Sequence, residues 1–358
     1  MRSQMLNVRR FTALFGLAFV SQALSQVDPD FHIYLAFGQS NMEGYAKDFG
    51  ANDKVSLPRF KVLGATTCSD LQRAKDQWSP GIAPLFRCNT GLSPADYFAR
   101  TLVDSLPSTI KIGIVPVAIA GTPIEGFNPT RGKAFYDAKK NAQDSWMYQI
   151  AQEYGGDPYA RLVALGKLAQ KTGVIKGIIL HQGESNGGDK NWPPKVDTVY
   201  SGLIKDLGLT KSQVPLLAGE IVTTTNPNDM NSIIRALPKT VSTSYVISSS
   251  GLATHANDGT KQHFSAASYR EFGKRYAQQM LKLLPKSVSI NPSKFVAFMV
   301  DANFVVYNFD GTRVGTFHAT DAASLENGLS GIRSTLPRGI YWVKNATTGA
   351  TQRLVNGI

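Results

Sequence analysis

Between about residue 30 and residue 284, short runs of Val, Ile and Leu alternate with longer amphipathic stretches, the pattern of strands and helices taking turns. The apolar runs predict strands over His32–Phe37, Lys111–Ala120, Val174–His181, Pro215–Val222 and Ser244–Ser248. The run ending at His181 is almost entirely apolar, as expected of a strand covered on both sheet faces. Helices are predicted from Ser93, a capping residue followed by Pro94 at the first helical position, through Leu106. More follow over most of 141–172, near 196–206 and 229–236, and from Ser265 to Leu284. Parallel strands joined by right-handed helical crossovers satisfy this order, so the expected class is α/β with a mostly parallel sheet.

Near Pro285 the texture changes. The runs Phe295–Val300, Phe304–Phe309 and Ile340–Lys344 read as strands, with turn signals at Asp310-Gly311 and Pro337-Arg338-Gly339. A small C-terminal β module is expected over 286–358, after a main domain at 26–285. Residues 1–25 read as a secretory signal. Arg2, Arg9 and Arg10 precede the apolar stretch Phe11–Val20, and small residues follow before Gln26. About ten apolar residues fall short of the roughly 20 that cross a bilayer, so no membrane span is expected.

The chain has 358 residues, 18% of them charged, and a formal charge of +12. Three arginines would leave with the signal, and no acidic residue precedes Asp28, so the mature chain stays basic at +9. The basic residues are scattered and match no nucleic-acid-binding pattern, so no nucleic-acid partner is expected. The two cysteines, Cys68 and Cys88, lie in a region rich in turn residues. In an exported protein they would staple that loop, or else stand as two thiols. Neither has the spacing of a metal knuckle or a redox pair.

Four polar clusters follow four predicted strands, where open parallel sheets bind their ligands. Gly38-Gln39-Ser40-Asn41-Met42 follows the first, and a serine on such a turn either exposes its hydroxyl or caps a helix. Gly121 to Phe127 follows the strand ending at Ala120, where a glycine lets the backbone aim an N–H at a ligand or simply makes a tight turn. His181-Gln182-Gly183-Glu184-Ser185-Asn186 follows the most apolar strand, and that much polarity there implies a hydrogen-bonded site. His181 and Glu184 lack the partners a metal would need, so no metal or cofactor is expected. Asn257 to Ser265 closes the set with Asp258 and His263, while His255 shares that loop. Ser40, a carboxylate and His263 thus stand in the order nucleophile, acid, base on loops at one sheet edge, an arrangement that suits a serine hydrolase.

The blocks Gly38–Met42, His181–Glu184 and Asp-Gly…His-Phe-Ser resemble those of carbohydrate esterase family 6 and the related sialate O-acetylesterase-like group, within the SGNH hydrolase superfamily. The resemblance spans roughly residues 30–284. It implies a three-layer α/β/α, flavodoxin-like fold and a metal-free serine esterase that removes acetyl groups from xylan or similar plant polysaccharide. By position, Ser40 is the nucleophile and His263 the general base. The oxyanion hole would use the N–H groups of Ser40 and Gly121 and a side-chain donor, Gln182. Gln39, Asn41 and Asn186 are the candidate substrate contacts.

The family's acid stands three residues before the histidine. Here that position is Thr260, with Asp258 five before. Asp258 on a looped-out segment, or Glu184, would orient the imidazole. Sialate or another acetylated sugar is the alternative substrate, and a polysaccharide-binding protein with a dead site the alternative of another class. Trp78, Trp192 and Tyr45 could stack on sugars or pack in the core. The C-terminal module loosely resembles sorting or attachment modules of secreted bacterial enzymes, through Asp310–Arg313 and Leu336–Tyr341. That implies a secretion or cell-surface partner, against the plainer reading of a carbohydrate-associated or packing domain.

Overall fold

The computed structural model describes residues 27–223, 227–284, 301–308, 311–337, 339–347, 349 and 351–356. The expected signal at 1–25, the boundary at 285/286 and the expected strand Phe295–Val300 lie outside the described residues.

Seven strands form one sheet: β1 (Phe31–Gly38), β2 (Phe60–Leu63), β3 (Trp78–Pro80), β4 (Lys111–Ala118), β5 (Val174–His181), β6 (Leu216–Gly219) and β7 (Ser244–Ile247). Their order is β3-β2-β4-β1-β5-β6-β7. Every pairing is parallel except β2 with β3, so the fold is the expected mostly parallel α/β sheet. Alternation along β1 builds both cores. Phe31, Ile33, Leu35 and Phe37 pack in one layer, with Leu162, Leu165, Val196 and Leu203. Tyr34 and Ala36 pack in the other, with Phe98, Leu102, Phe272 and Tyr276. The sheet is therefore sandwiched between helical layers.

The helices are α1 (Ser40–Glu43), α2 (Pro94–Ser105), α3 (Gly132–Asp137), α4 (Ser145–Glu153), α5 (Pro158–Ala169), α6 (Trp192–Asp206), α7 (Met230–Arg235), α8 (Leu237–Thr240) and α9 (Ala266–Leu283). The mostly helical stretch expected over 141–172 holds two helices, α4 and α5. Gly155 and Gly156, at φ of 79° and 80°, take a conformation that ends one helix before Asp157 caps the next.

A second, antiparallel sheet comprises β8 (Ala302–Asn308), β9 (Arg313–Ala319), β10 (Gly339–Asn345) and β11 (Thr351–Asn356), in the order β11-β10-β8-β9. The purely β reading of this region needs correcting. A 14-residue helix, Ala322–Thr335, lies between β9 and β10 and brings Leu325 and Leu329 onto Phe304, Val306 and Val343. One face of a small sheet needs such a cover to leave water.

Candidate active site

β1 ends on Gly38, where an added Cβ would stand 2.0 Å from the carbonyl oxygen of His181. Only glycine allows β1 and β5 to close up there, and the Gln39 amide then donates to that carbonyl at 3.0 Å. The chain turns directly into α1, whose first residue is Ser40.

The imidazole of His263 meets Ser40 at this point, with Nε2 3.0 Å from the Ser40 Oγ. On its other side Nδ1 lies 2.9 Å from Asp258 Oδ2. The five-residue spacing is absorbed by a loop that curls around the carboxylate. Oδ2 also accepts the amides of Gln262 and His263, each at 2.8 Å, and Oδ1 accepts the amide and hydroxyl of Thr260. Lys261 takes a left-handed φ of 54° to make the turn. Burial pushes the Asp258 carboxyl up, but the Thr260 hydroxyl, the His263 and Thr260 amides and the His263 ring outweigh it and hold it well below the ordinary range.

The structure does not bring Glu184 to the imidazole. Its Oε1 accepts from Asn41 Nδ2 at 2.6 Å and lies 3.8 Å from His181 Nδ1. His181 is itself fully buried, its Nε2 3.1 Å from the Glu220 carbonyl, and burial lowers its pKa and keeps it neutral. The described residues hold no group of three His, Cys, Asp or Glu side chains placed for a metal.

Several expected contacts face inward instead. Gln182 is fully buried, its Nε2 spent on Gln39 at 3.0 Å and Asn186 at 2.7 Å and its Oε1 on the Trp192 indole, so it is not an oxyanion donor. Gln39 and Asn186 belong to the same buried knot, with Asn186 also binding Glu125 and the Ile124 amide. Asn41 is fully buried and spans three segments. It donates to Glu184 and to the Gln262 carbonyl and accepts from the Phe264 amide and the Tyr269 hydroxyl. These amides fasten the loops that carry Ser40 and His263, and none is left to meet a substrate. Trp192 is core, and Trp78 packs on Phe31.

The N–H groups of Ser40 and Gly121 are different, since neither has a hydrogen-bond partner among the described residues. Gly121 has φ +65°, and a Cβ there would meet Trp146 at 2.4 Å. Its neighbour Ala120 donates to the fully buried Glu43, which is held by Arg87 at 3.0 Å. Burial raises the Glu43 pKa against the pull of that guanidinium. Arg87 adjoins Cys88, whose sulfur is joined to that of Cys68. Tyr45 lies flat on the His263 ring, centroids 3.8 Å apart and planes 6° from parallel. Neither the Glu43–Arg87 pair nor this stack was expected, because both depend on which turn lies over which.

Residues 30–282 match the family described as "Carbohydrate esterase, sialic acid-specific acetylesterase". The chain belongs to that carbohydrate esterase family. Among solved structures it resembles a protein from Arabidopsis thaliana at 20% identity and TM-score 0.54, covering 71% of this chain and 99% of that one. That likeness is one of fold. It also aligns with NanS at 19% identity and TM-score 0.49, covering 72% and 98%. A carbohydrate acetylesterase from Xanthomonas citri aligns at 14% identity and TM-score 0.45, covering 91% and 81%. The family assignment carries a carboxylic ester hydrolase of the carbohydrate acetylesterase kind.

Proposed function

We propose that this carbohydrate esterase removes O-acetyl groups from acetylated xylan or related plant polysaccharide through an acyl-enzyme on Ser40. The observation that carries the reading is the unbroken chain Asp258–His263–Ser40, at 2.9 and 3.0 Å. Ser40 Oγ attacks the acetyl carbonyl and its proton passes to His263 Nε2. Asp258 keeps the Nδ1 proton in place and stabilises the imidazolium. The free N–H groups of Ser40 and Gly121 stabilise the oxyanion, and the sugar oxygen leaves with the proton from His263. Water then gives its proton to His263 and attacks the acetyl-Ser40 carbonyl, releasing acetate and restoring the serine.

The block pattern supports xylan, and the family's description supports a second reading, sialate O-acetyl groups. A dead binding protein would have little reason to keep the imidazole on the serine hydroxyl. The leader-like residues 1–25 support export to the medium or cell surface, with the C-terminal module serving attachment or sorting. Acetate release from acetylated xylan and from acetylated sialosides, comparing the natural chain with Ser40→Ala, tests the reading. Turnover should fall by about five to six powers of ten, the scale for deleting a serine nucleophile. A Ser40→Ala protein with most of its activity would remove Ser40 from the reaction.

A further inference from the structure

Among the described residues, the large apolar side chains left exposed are Val27, Tyr45, Val55, Trp146 and Trp342. Two of them, Tyr45 and Trp146, line the same cleft, of about 580 Å³, with Lys47, Asn89, Ala120 and His255 among its other walls. That volume is in the range of small-molecule sites. Both aromatic walls are tied to the reaction centre. Tyr45 carries His263 on one face, and Trp146 lies close over Gly121, where an added Cβ would meet its ring at 2.4 Å. The cleft therefore begins one residue from the Gly121 N–H, at Ala120.

Burying either ring against protein would stabilise the fold by about 2 kcal/mol, so leaving both at one rim is unfavourable without a ligand to cover them. A pyranose ring suits such a place. Its axial C–H groups form an apolar face that lies flat on an aromatic ring, and its hydroxyls reach outward to polar groups. Asn89 and Lys47 are exposed polar groups on the cleft wall. Arg87, by contrast, is taken up by Glu43 and Glu153.

We propose that the Tyr45–Trp146 cleft is a pyranose subsite in which Trp146 is the stacking platform, holding the sugar while its acetyl carbonyl lies at Gly121. The proposal deepens the esterase reading and rests on it for the position of the ester. The shared chemistry is an O-acetylated pyranose, and xylose-based and sialic acid-based ligands form separate arms of the test.

The direct test uses the full-length Ser40→Ala protein, which cannot turn the ligand over, titrated with acetylated xylo-oligosaccharide and, separately, with O-acetylated sialic acid. Stacking on an exposed indole should give a saturable blue shift of tryptophan emission with one of the two sugars, and the arm that saturates names the source. The shift should vanish in Ser40→Ala/Trp146→Phe, which keeps a ring over Gly121. Calorimetry should show binding about tenfold weaker in Ser40→Ala/Trp146→Ala, the scale of one lost stacking contact. With Ser40 intact, Trp146→Ala should lower kcat/KM for the sugar acetate relative to 4-nitrophenyl acetate by about tenfold, mainly through KM. Saturable binding untouched by either substitution, no saturable binding of either sugar, or an unchanged selectivity ratio would each overturn the subsite. The esterase reading is judged apart from it, by loss of 4-nitrophenyl acetate hydrolysis in Ser40→Ala.

Discussion

Replacing Asp258 by Asn preserves the shape of the side chain and removes its charge. Three donors converge on Oδ2, namely Nδ1 of His263 at 2.9 Å and the amides of Gln262 and His263 at 2.8 Å. Oδ1 meets the Thr260 amide at 3.1 Å and the Thr260 hydroxyl at 2.6 Å. An asparagine will turn its oxygen toward the three donors, because only on the Thr260 side is there a hydroxyl that can rotate to accept from the new NH2 group. One backbone bond, from the Thr260 amide, is lost, a cost of about 1 kcal/mol in stability. The imidazole keeps an acceptor at Nδ1 and so keeps its tautomer. What disappears is the attraction between the carboxylate and the imidazolium formed during attack. For charge centres about 4 Å apart at an effective dielectric near 20 this is about 4 kcal/mol, of which the amide dipole restores part. A net loss of about 2 to 4 kcal/mol lowers kcat by about 30- to 1000-fold. The assay is kcat for 4-nitrophenyl acetate and for acetate release from the acetylated sugar, with urea unfolding to confirm the fold. Glu184→Gln is the matched comparison and should cost less than about tenfold, since a glutamine oxygen can still accept from Asn41. Asp258→Asn within about threefold of the natural protein, or a larger loss for Glu184→Gln, would refute the assignment of the acid.

Two further substitutions probe the frame of the site. Gly121→Ala places a Cβ on a left-handed backbone and against Trp146, so kcat should drop about 100-fold as the donor is displaced. Steady-state kinetics on both substrates checks this, and a fall in stability with kcat unchanged would separate Gly121 from the oxyanion. Asp53 accepts two hydrogen bonds from Arg270 and one from the Tyr97 hydroxyl, and the Arg270 pair above all holds its carboxyl down at about 2 from 3.8. A depressed carboxyl stabilises the fold above its unfolded pKa and loses that contribution as pH falls from about 4 through 2. Asp53→Asn should therefore cost about 1 to 2 kcal/mol in urea unfolding at pH 7, with the gap to the natural protein closing toward pH 2. A gap independent of pH would show that charge is not what Asp53 contributes.

Much of the scaffold is legible in residue patterns because strands buried on both faces leave long aliphatic runs. β1, β4, β5, β6 and β7 are each foreshadowed within three residues of their ends. β2 and β3 are not, since Phe60–Leu63 is only four residues long and Trp78–Pro80 contains a proline. In the C-terminal module, Gly328 and Gly331 dilute the helical signal of Ala322–Thr335. Gly328 is there because a Cβ would strike Phe317 at 2.2 Å, a contact no local pattern records. At the site, strand ends mark where polar residues collect but not which way each amide points. Ser40, His263 and Asp258 meet as their order along the chain suggests. Gln39, Asn41, Gln182 and Asn186 come from the same blocks, yet they turn inward, because groups buried at a strand mouth are cheapest when they satisfy one another. The stacking of Tyr45 on His263 is decided by the turn after α1, which the spacing of polar residues does not encode.

The central claim is that the Ser40 hydroxyl is activated by His263. Reaction of the full-length protein with diisopropyl fluorophosphate, followed by peptide mass spectrometry, reads it directly. A single adduct should form on Ser40 in step with the loss of acetyl-ester hydrolysis, and none should form on Ser40 in a folded His263→Ala protein. Hydrolysis that persists with Ser40 fully modified, or that is lost while Ser40 stays unmodified, would contradict the account.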